Sequence, residues 1–562
     1  MRTPIRAVCL AFLFGPSLVV LRAGERGASF PVQAFGAAGD GRTLDTAAVN
    51  RAIAAAAEAG GGTVEFPAGD YLCHSIRLRS HVTLHLGPGA TIVAADPLAP
   101  GQPGGYDAPE SNDWAQYQDF GHTHWHNSLI WGEDLTDVSI TGSGRIYGRG
   151  LSRGHSRIAP PVEAFATREA SPPPWDARAA ERAVPIEPRP DLVPGPFGYP
   201  NASDALPAGV GNKAIALKNC RNVTLRDVTI LHGGHFAILA TGCDNLTIDN
   251  LVIDTNRDGM DIDACANVRV SNCSVNSPWD DGICLKASHG LGRAKPTENV
   301  AVTNCTVSGY DEGTLLDGTR QRHIEHKNGP VGRIKLGTEA GGGFRNITIA
   351  NCVFDYCRGL ALEQVDGGVL EEVVVTNLAM RDVVNAPIFV RLGARLRRPG
   401  TTEPGRVHGV LISNVVASGV APEQGIFIAG LPGHPVEDLV LSNIRIEYRG
   451  GGTAAQAARD VPELEADYPE PDRFGVLPAW GLFVRHAASL HIRGVDLRLL
   501  SPDGRPAAVL DDVNGARFSD LQLDAAEGRP VWSLTGVTGL RARATTRMPE
   551  GELPAAAKRT ER

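Results

Sequence analysis

Along residues 221 to 253, polar and apolar positions alternate in two matched runs, Arg221-Asn222-Val223-Thr224-Leu225-Arg226-Asp227-Val228-Thr229-Ile230 and Asp244-Asn245-Leu246-Thr247-Ile248-Asp249-Asn250-Leu251-Val252-Ile253. Period-two alternation rich in β-branched residues predicts strands with one buried face. Further copies open at Asn267, Asn299 and Asn346, and weaker ones centre on Asn377, Asn414 and Asn443. At the second turn position the series Asp227, Asn250, Asn272, Asn304, Asn351, Asn377, Asn414, Asn443 advances by 23, 22, 32, 47, 26, 37 and 29 residues. Short steps just above 20, with longer ones carrying loops, are the pattern of stacked coils in a β-solenoid. Asn suits the turns because it tolerates left-handed backbone, and equivalent amides one rung apart can bond in a ladder. The Leu spacing and helical segments of leucine-rich repeats are absent.

A helical pattern occurs near the start, where Asp45 is a candidate N-cap for a helix from Thr46 to Ala59, with Val49, Ile53 and Ala56 or Ala57 on its inner face. Gly60-Gly61-Gly62 ends it, and strands begin at Thr63. A solenoid needs such a cap, because an open coil end exposes apolar interior and unpaired strand edges. This opening resembles the N-terminal cap of pectate-lyase-like right-handed parallel β-helices. The expected fold is all-β, a single-stranded right-handed parallel β-helix over residues 28–545 with a short N-terminal capping helix. Pro-rich or aperiodic insertions fall near 151–208, 306–331 and 450–478, and residues 546–562 read as a flexible tail.

Charge excludes some partners. The net charge of -9, with acids and bases interspersed, gives no footprint for nucleic acid or an anionic membrane. Arg2 and Arg6, an apolar run from Ala7 to Leu21, and small and polar residues through Ser29 have the order of a signal peptide, here residues 1–27. A secreted or periplasmic monomer with no membrane span is expected. Without Cys9, nine of the ten cysteines remain, an odd number that excludes a complete disulfide framework. Their regular placement beside Asn residues predicts small apolar fillers stacked inside the coil.

Chemistry concentrates in Asn256-Arg257-Asp258-Gly259-Met260-Asp261-Ile262-Asp263 and, 22 residues after Asp258, in Asp280-Asp281-Gly282-Ile283-Cys284-Leu285-Lys286. One coil apart, Asp258, Asp280 and Asp281 should converge. Together the motifs resemble glycoside hydrolase family 28, the polygalacturonases and rhamnogalacturonan hydrolases. The resemblance implies a pectic substrate and metal-independent, cofactor-free inversion, with Asp280 as general acid and Asp258 with Asp281 activating water. Crowded carboxylates should help one keep its proton, as an acid requires. Substrate-side candidates are Asn256, Asp261, Lys286, Arg333, Lys335, Glu339, Glu363, His235, His124 and His126; His323, His326, Arg391, Arg395 and Arg485 are further cleft candidates.

The family's Gly-His-Gly and galacturonate-gripping Arg-Ile-Lys are altered: Gly332 stands roughly at the His, and Ala361 and Glu363 at the Arg and Lys. Such changes favour rhamnogalacturonan over plain homogalacturonan. His122, His124 and His126, spaced i, i+2 and i+4, would share one strand face as substrate contacts, zinc ligands or packing; no completing carboxylate or Cys is apparent nearby, so no metal is expected. A pectin lyase or epimerase, or a non-catalytic glycan-binding β-helix, are the alternative functions.

Overall fold

The computed structural model describes residues 28–98, 104–152, 209–322, 329–525, 528–556 and 560–561. The expected signal peptide, nearly all of the 151–208 insertion, and His323 and His326 lie outside the described residues.

Each coil turns through short strands joined by tight bends. One coil comprises Phe236–Thr241, Asp244–Asp249 and Val252–Asp254; the next comprises Asp258–Asp263, Ala266–Ser271 and Ser274–Asn276. First strands pair in parallel with first strands, and the others with their counterparts, building one sheet of 15 strands and one of 25. The result is a right-handed parallel β-helix. Inward positions stack Ile238, Met260, Ile283 and Ile334 rung on rung, all fully buried. All nine cysteines of the described residues are free and buried, as core fillers should be.

The asparagine ladder is present. Asn377 Nδ2 donates to Asn351 Oδ1 at 2.9 Å, Asn414 to Asn377 at 3.0 Å and Asn443 to Asn414 at 2.7 Å. Each of these residues has φ between 54° and 58°. An unbranched residue that accepts left-handed backbone while bonding along the axis is what each turn requires.

The cap helix spans Thr46–Glu58 and buries Val49, Ile53 and Ala56. Asp45 is not its side-chain cap: the buried carboxylate instead accepts the amides of Ala38 and Gly39, at 2.7 and 3.0 Å, fastening the preceding loop. Residues 546 to 556 are likewise not a loose tail. Gly551–Glu552 pairs antiparallel with Arg541–Thr545, and Met548, Leu553 and Ala556 cover the last coil, whose apolar end would otherwise face water.

The outward face of the 15-stranded sheet departs most from a simple solenoid. Leu239, Asp261, Cys284, Lys335, Ala361, Phe389, Phe427 and Phe483 occupy successive rungs of one outward ladder, and all are buried. The 450–478 insertion roofs its apolar end, with Val461, Phe474 and Leu477 against the three phenylalanines. At the opposite end Trp125 packs with Phe236 and Leu239. Between these two covers lies the charged stretch.

Candidate active site

Asp258 begins the strand Asp258–Asp263, and the amide of Gly259 donates to Asp281 O on the next coil at 3.0 Å. Stacking at one rung, about 4.8 Å, therefore brings together motifs 22 residues apart. One oxygen each of Asp258, Asp280 and Asp281 lies within 4.8 Å of the others. Gly259 allows this stacking, since a Cβ there would meet Gly282 O at 2.4 Å.

The three carboxyls have different surroundings. Asp280, with a quarter of its side chain exposed, accepts from Arg257 Nη2 at 2.5 Å. Asp281 is buried, accepting from Arg333 Nε at 2.7 Å with Lys335 Nζ at 3.3 Å. Asp258 is also buried, and its Oδ1 makes no hydrogen bond among the described residues. Burial pushes Asp258 well above the ordinary carboxyl range, reinforced by Asp261 and Asp280. Burial also raises Asp280, with the adjacent Asp281 charge adding to it and Arg257 opposing. For Asp281 burial acts upward too, but Lys335 and Arg333 outweigh it and hold the carboxyl below its ordinary value. Burial and neighbouring charge thus push Asp258 and Asp280 in one direction and Asp281 in the other, the divergence that an acid and a base in one site need.

Two of the sequence candidates supply the cations. Arg333 and Lys335, at the strand Ile334–Leu336 that follows Ile283–Lys286 in the sheet, stand directly beside Asp281. Ala361 and Glu363 lie one rung further. Burial drives Glu363 up to about 7, against the pull of Lys335 and Arg333. Gly332 has φ 52°, and a Cβ there would stand 2.2 Å from Ser308 O, so no histidine fits at this position.

Most other sequence candidates are engaged within the protein. Lys286, expected to face substrate, is buried between Asp261 at 3.4 Å and Glu339 at 3.3 Å, because the segment carrying Asp119 and His122 lies over that face and bonds the same two acids. Glu339 also accepts the Asp119 amide at 3.1 Å. Asn256 lies beside Arg257 at the site, its carbonyl accepting from the Trp279 amide at 2.9 Å.

The three histidines do not share a strand face. They lie in an irregular segment and diverge: His122 Nε2 meets Asp261 at 2.9 Å, His124 Nδ1 meets Glu110 O at 2.8 Å, and His126 meets Glu133 at 2.8 Å while stacking on Trp131. His235 is buried edge-on against Phe120 and Phe236. Arg391 and Arg485 bind the backbone of the 450–478 insertion through Glu463 O and Val461 O, and Arg395 pairs with Asp366 at 2.6 Å.

Three residues escaped sequence reading. Arg257, within the motif itself, holds Asp280; Arg358 joins the cations near Asp281, and Glu470 is the carboxylate bound between them. Glu470 lies in an aperiodic insertion, so no repeat position marks it. A cavity of about 350 Å³ opens elsewhere, lined by Trp114, Glu133, Lys218 and Arg293 among others; none of the three aspartates lines it. The converging carboxyls, rather than that volume, define the candidate site.

Comparison with known proteins agrees with this architecture. A profile described as a right handed beta helix region matches residues 213–292, and one described as rhamnogalacturonase A/epimerase, pectate lyase-like, matches residues 29–98. The protein is a right-handed parallel β-helix, and over these two segments it is similar to pectate-lyase-like proteins. The curated proteins that it resembles include several polygalacturonases. A probable polygalacturonase from Vitis vinifera is 25% identical over 58% of this chain and 60% of its own length. An exo-poly-alpha-D-galacturonosidase from Dickeya chrysanthemi is 24% identical over 56% of this chain and 53% of its own. The chain thus spans between half and two thirds of these relatives. A family 28 exopolygalacturonase structure from Yersinia enterocolitica, 18% identical, superposes with TM-score 0.59 over 89% of this chain and 79% of that one. At that identity the likeness establishes the fold.

Proposed function

We propose that this protein is a glycoside hydrolase acting outside the cytoplasm on α-galacturonosidic linkages of pectic polysaccharide, including rhamnogalacturonan. Asp280 is the general acid, and Asp281 with Asp258 activates water. The observation that carries this reading is the opposed electrostatics of adjacent carboxyls: Asp280, partly exposed and raised, beside Asp281, buried and lowered by two cations. Acid and base in one site require that divergence. Likeness to polygalacturonases supports a pectic substrate. Covers at both ends of the site favour attack at chain ends.

A cation-dependent lyase or epimerase is the second reading, because three carboxylate oxygens within 4.8 Å match a divalent-ion site. Arg257, Arg333 and Lys335 weigh against it, since they already neutralise those carboxyls. The deciding experiment follows reducing ends and ultraviolet absorbance during digestion of homogalacturonan and rhamnogalacturonan oligosaccharides, with Asp280→Asn as control. Reducing ends without unsaturated product, lost in the control, support hydrolysis; chelator-sensitive absorbance overturns it.

A further inference from the structure

Arg333, Lys335 and Arg358 form a cationic cradle, almost wholly buried, one rung from the aspartates. A cluster of this kind is suited to a carboxylate, and one already fills it. Glu470, from the insertion, bonds Arg333 Nη2 through Oε1 and Arg358 Nη1 through Oε2 at 2.5 Å, with Lys335 Nζ 3.7 Å away. Both its oxygens are used, as a planar bidentate ligand's would be. The neighbouring fold fixes it there: Glu470 leads directly into the turn Pro471–Phe474, and Phe474 is packed against Phe427 at 4.9 Å between ring centroids. Asp472 stands 3.6 Å from Arg358, adding a further negative charge.

We propose that Glu470 substitutes for a substrate carboxylate, so that the sugar position beside the cradle, on the leaving side of the scissile galacturonosidic bond, accepts an uncharged pyranose and rejects a uronate. The inference rests on the hydrolase reading above and narrows its substrate. A uronate brought here would meet Glu470 and Asp472 with its countercharges already taken, whereas a neutral sugar needs no countercharge. A polymer alternating uronate with neutral sugar satisfies the site; a homopolymer of uronate does not.

The test compares kcat/KM on rhamnogalacturonan and homogalacturonan oligosaccharides of matched length for the full chain, Glu470→Gln and Glu470→Asp, each checked for folding by thermal melting. Wild type should prefer rhamnogalacturonan. Glu470→Gln should shift the ratio toward homogalacturonan by about tenfold, the scale of one charge-assisted hydrogen bond, while Glu470→Asp keeps the wild-type preference. A wild type preferring homogalacturonan, or a Gln variant that lowers both activities equally, overturns the proposal. If wild type cuts neither polymer, the hydrolase reading fails, and calorimetry with galacturonate and galactose decides this one. A galacturonate-specific gain of about tenfold in Glu470→Gln upholds it, and equal affinities overturn it. Should Glu470→Gln not fold, the wild-type preference decides.

Discussion

Asp281 and Glu470, 189 residues apart, share one guanidinium: Arg333 gives its Nε to Asp281 at 2.7 Å and its Nη2 to Glu470. A carboxyl of the repeating coils is thereby held to one in an aperiodic insertion. Lys335 reinforces the link, 3.3 Å from Asp281 and 3.7 Å from Glu470.

Removing Arg333 should therefore change both stability and pH dependence. Arg333→Ala leaves two buried carboxylates short of a partner, a loss of about 3–5 kcal/mol by analogy with other broken buried pairs, measurable by denaturant unfolding. Asp281 is held low by Lys335 and Arg333 against burial, so in its proposed role as base it serves above its folded pKa. Without Arg333 that pKa rises, and the acidic limb of the kcat/KM profile moves to higher pH. An unmoved limb would separate Asp281 from the base role.

Asp280→Asn should lower kcat by about 10²–10⁴, the usual contribution of general acid catalysis, while leaving the melting temperature close to wild type. The side chain is partly exposed, and so is its main partner, Arg257. Near-wild-type turnover by this variant would remove Asp280 from the acid role.

The first product released from an α-linked oligosaccharide should be the β-anomer, seen by proton NMR before mutarotation. Inverting pairs usually stand about 6.5–9.5 Å apart and retaining pairs about 5–5.5 Å, whereas the closest oxygens here lie within 4.8 Å. Inversion is therefore expected from the family 28 resemblance and from Asp258 joining Asp281 around the water, not from spacing. An initial α-anomer would instead make Asp281 a nucleophile.

Activity should survive prolonged treatment with a chelator, since lysine and arginine already balance the acidic trio. Loss on chelation with recovery by Ca²⁺ would favour the lyase reading.

Asn377→Ala should cost about 1–2 kcal/mol in urea unfolding, combining one ladder hydrogen bond with the strain of alanine in the left-handed region. Asn377 has φ 58° and bonds both neighbouring rungs. Asn377→Gly, free of that strain, should cost less; an equal loss for both would show that the amide ladder alone matters.

Local rules made the coils legible. Alternation marked the strands, Asn marked the left-handed turns, and the spacing of one coil placed Asp258 beside Asp281, 23 residues on, because a solenoid converts sequence period into distance along one axis. Family resemblance added candidate roles to those aspartates. The fate of the charges around them was not legible. Lys286 and the histidines looked free to meet substrate because an outward side chain on a bare coil is solvated, yet loops from other parts of the chain cover that face. Glu470 and Arg358 likewise meet only after the 450–478 insertion folds back across the sheet. Repetition fixes which residues stack, because its constraint is local and periodic; which charges remain exposed depends on nonperiodic loops, and only tertiary packing determines what those loops cover.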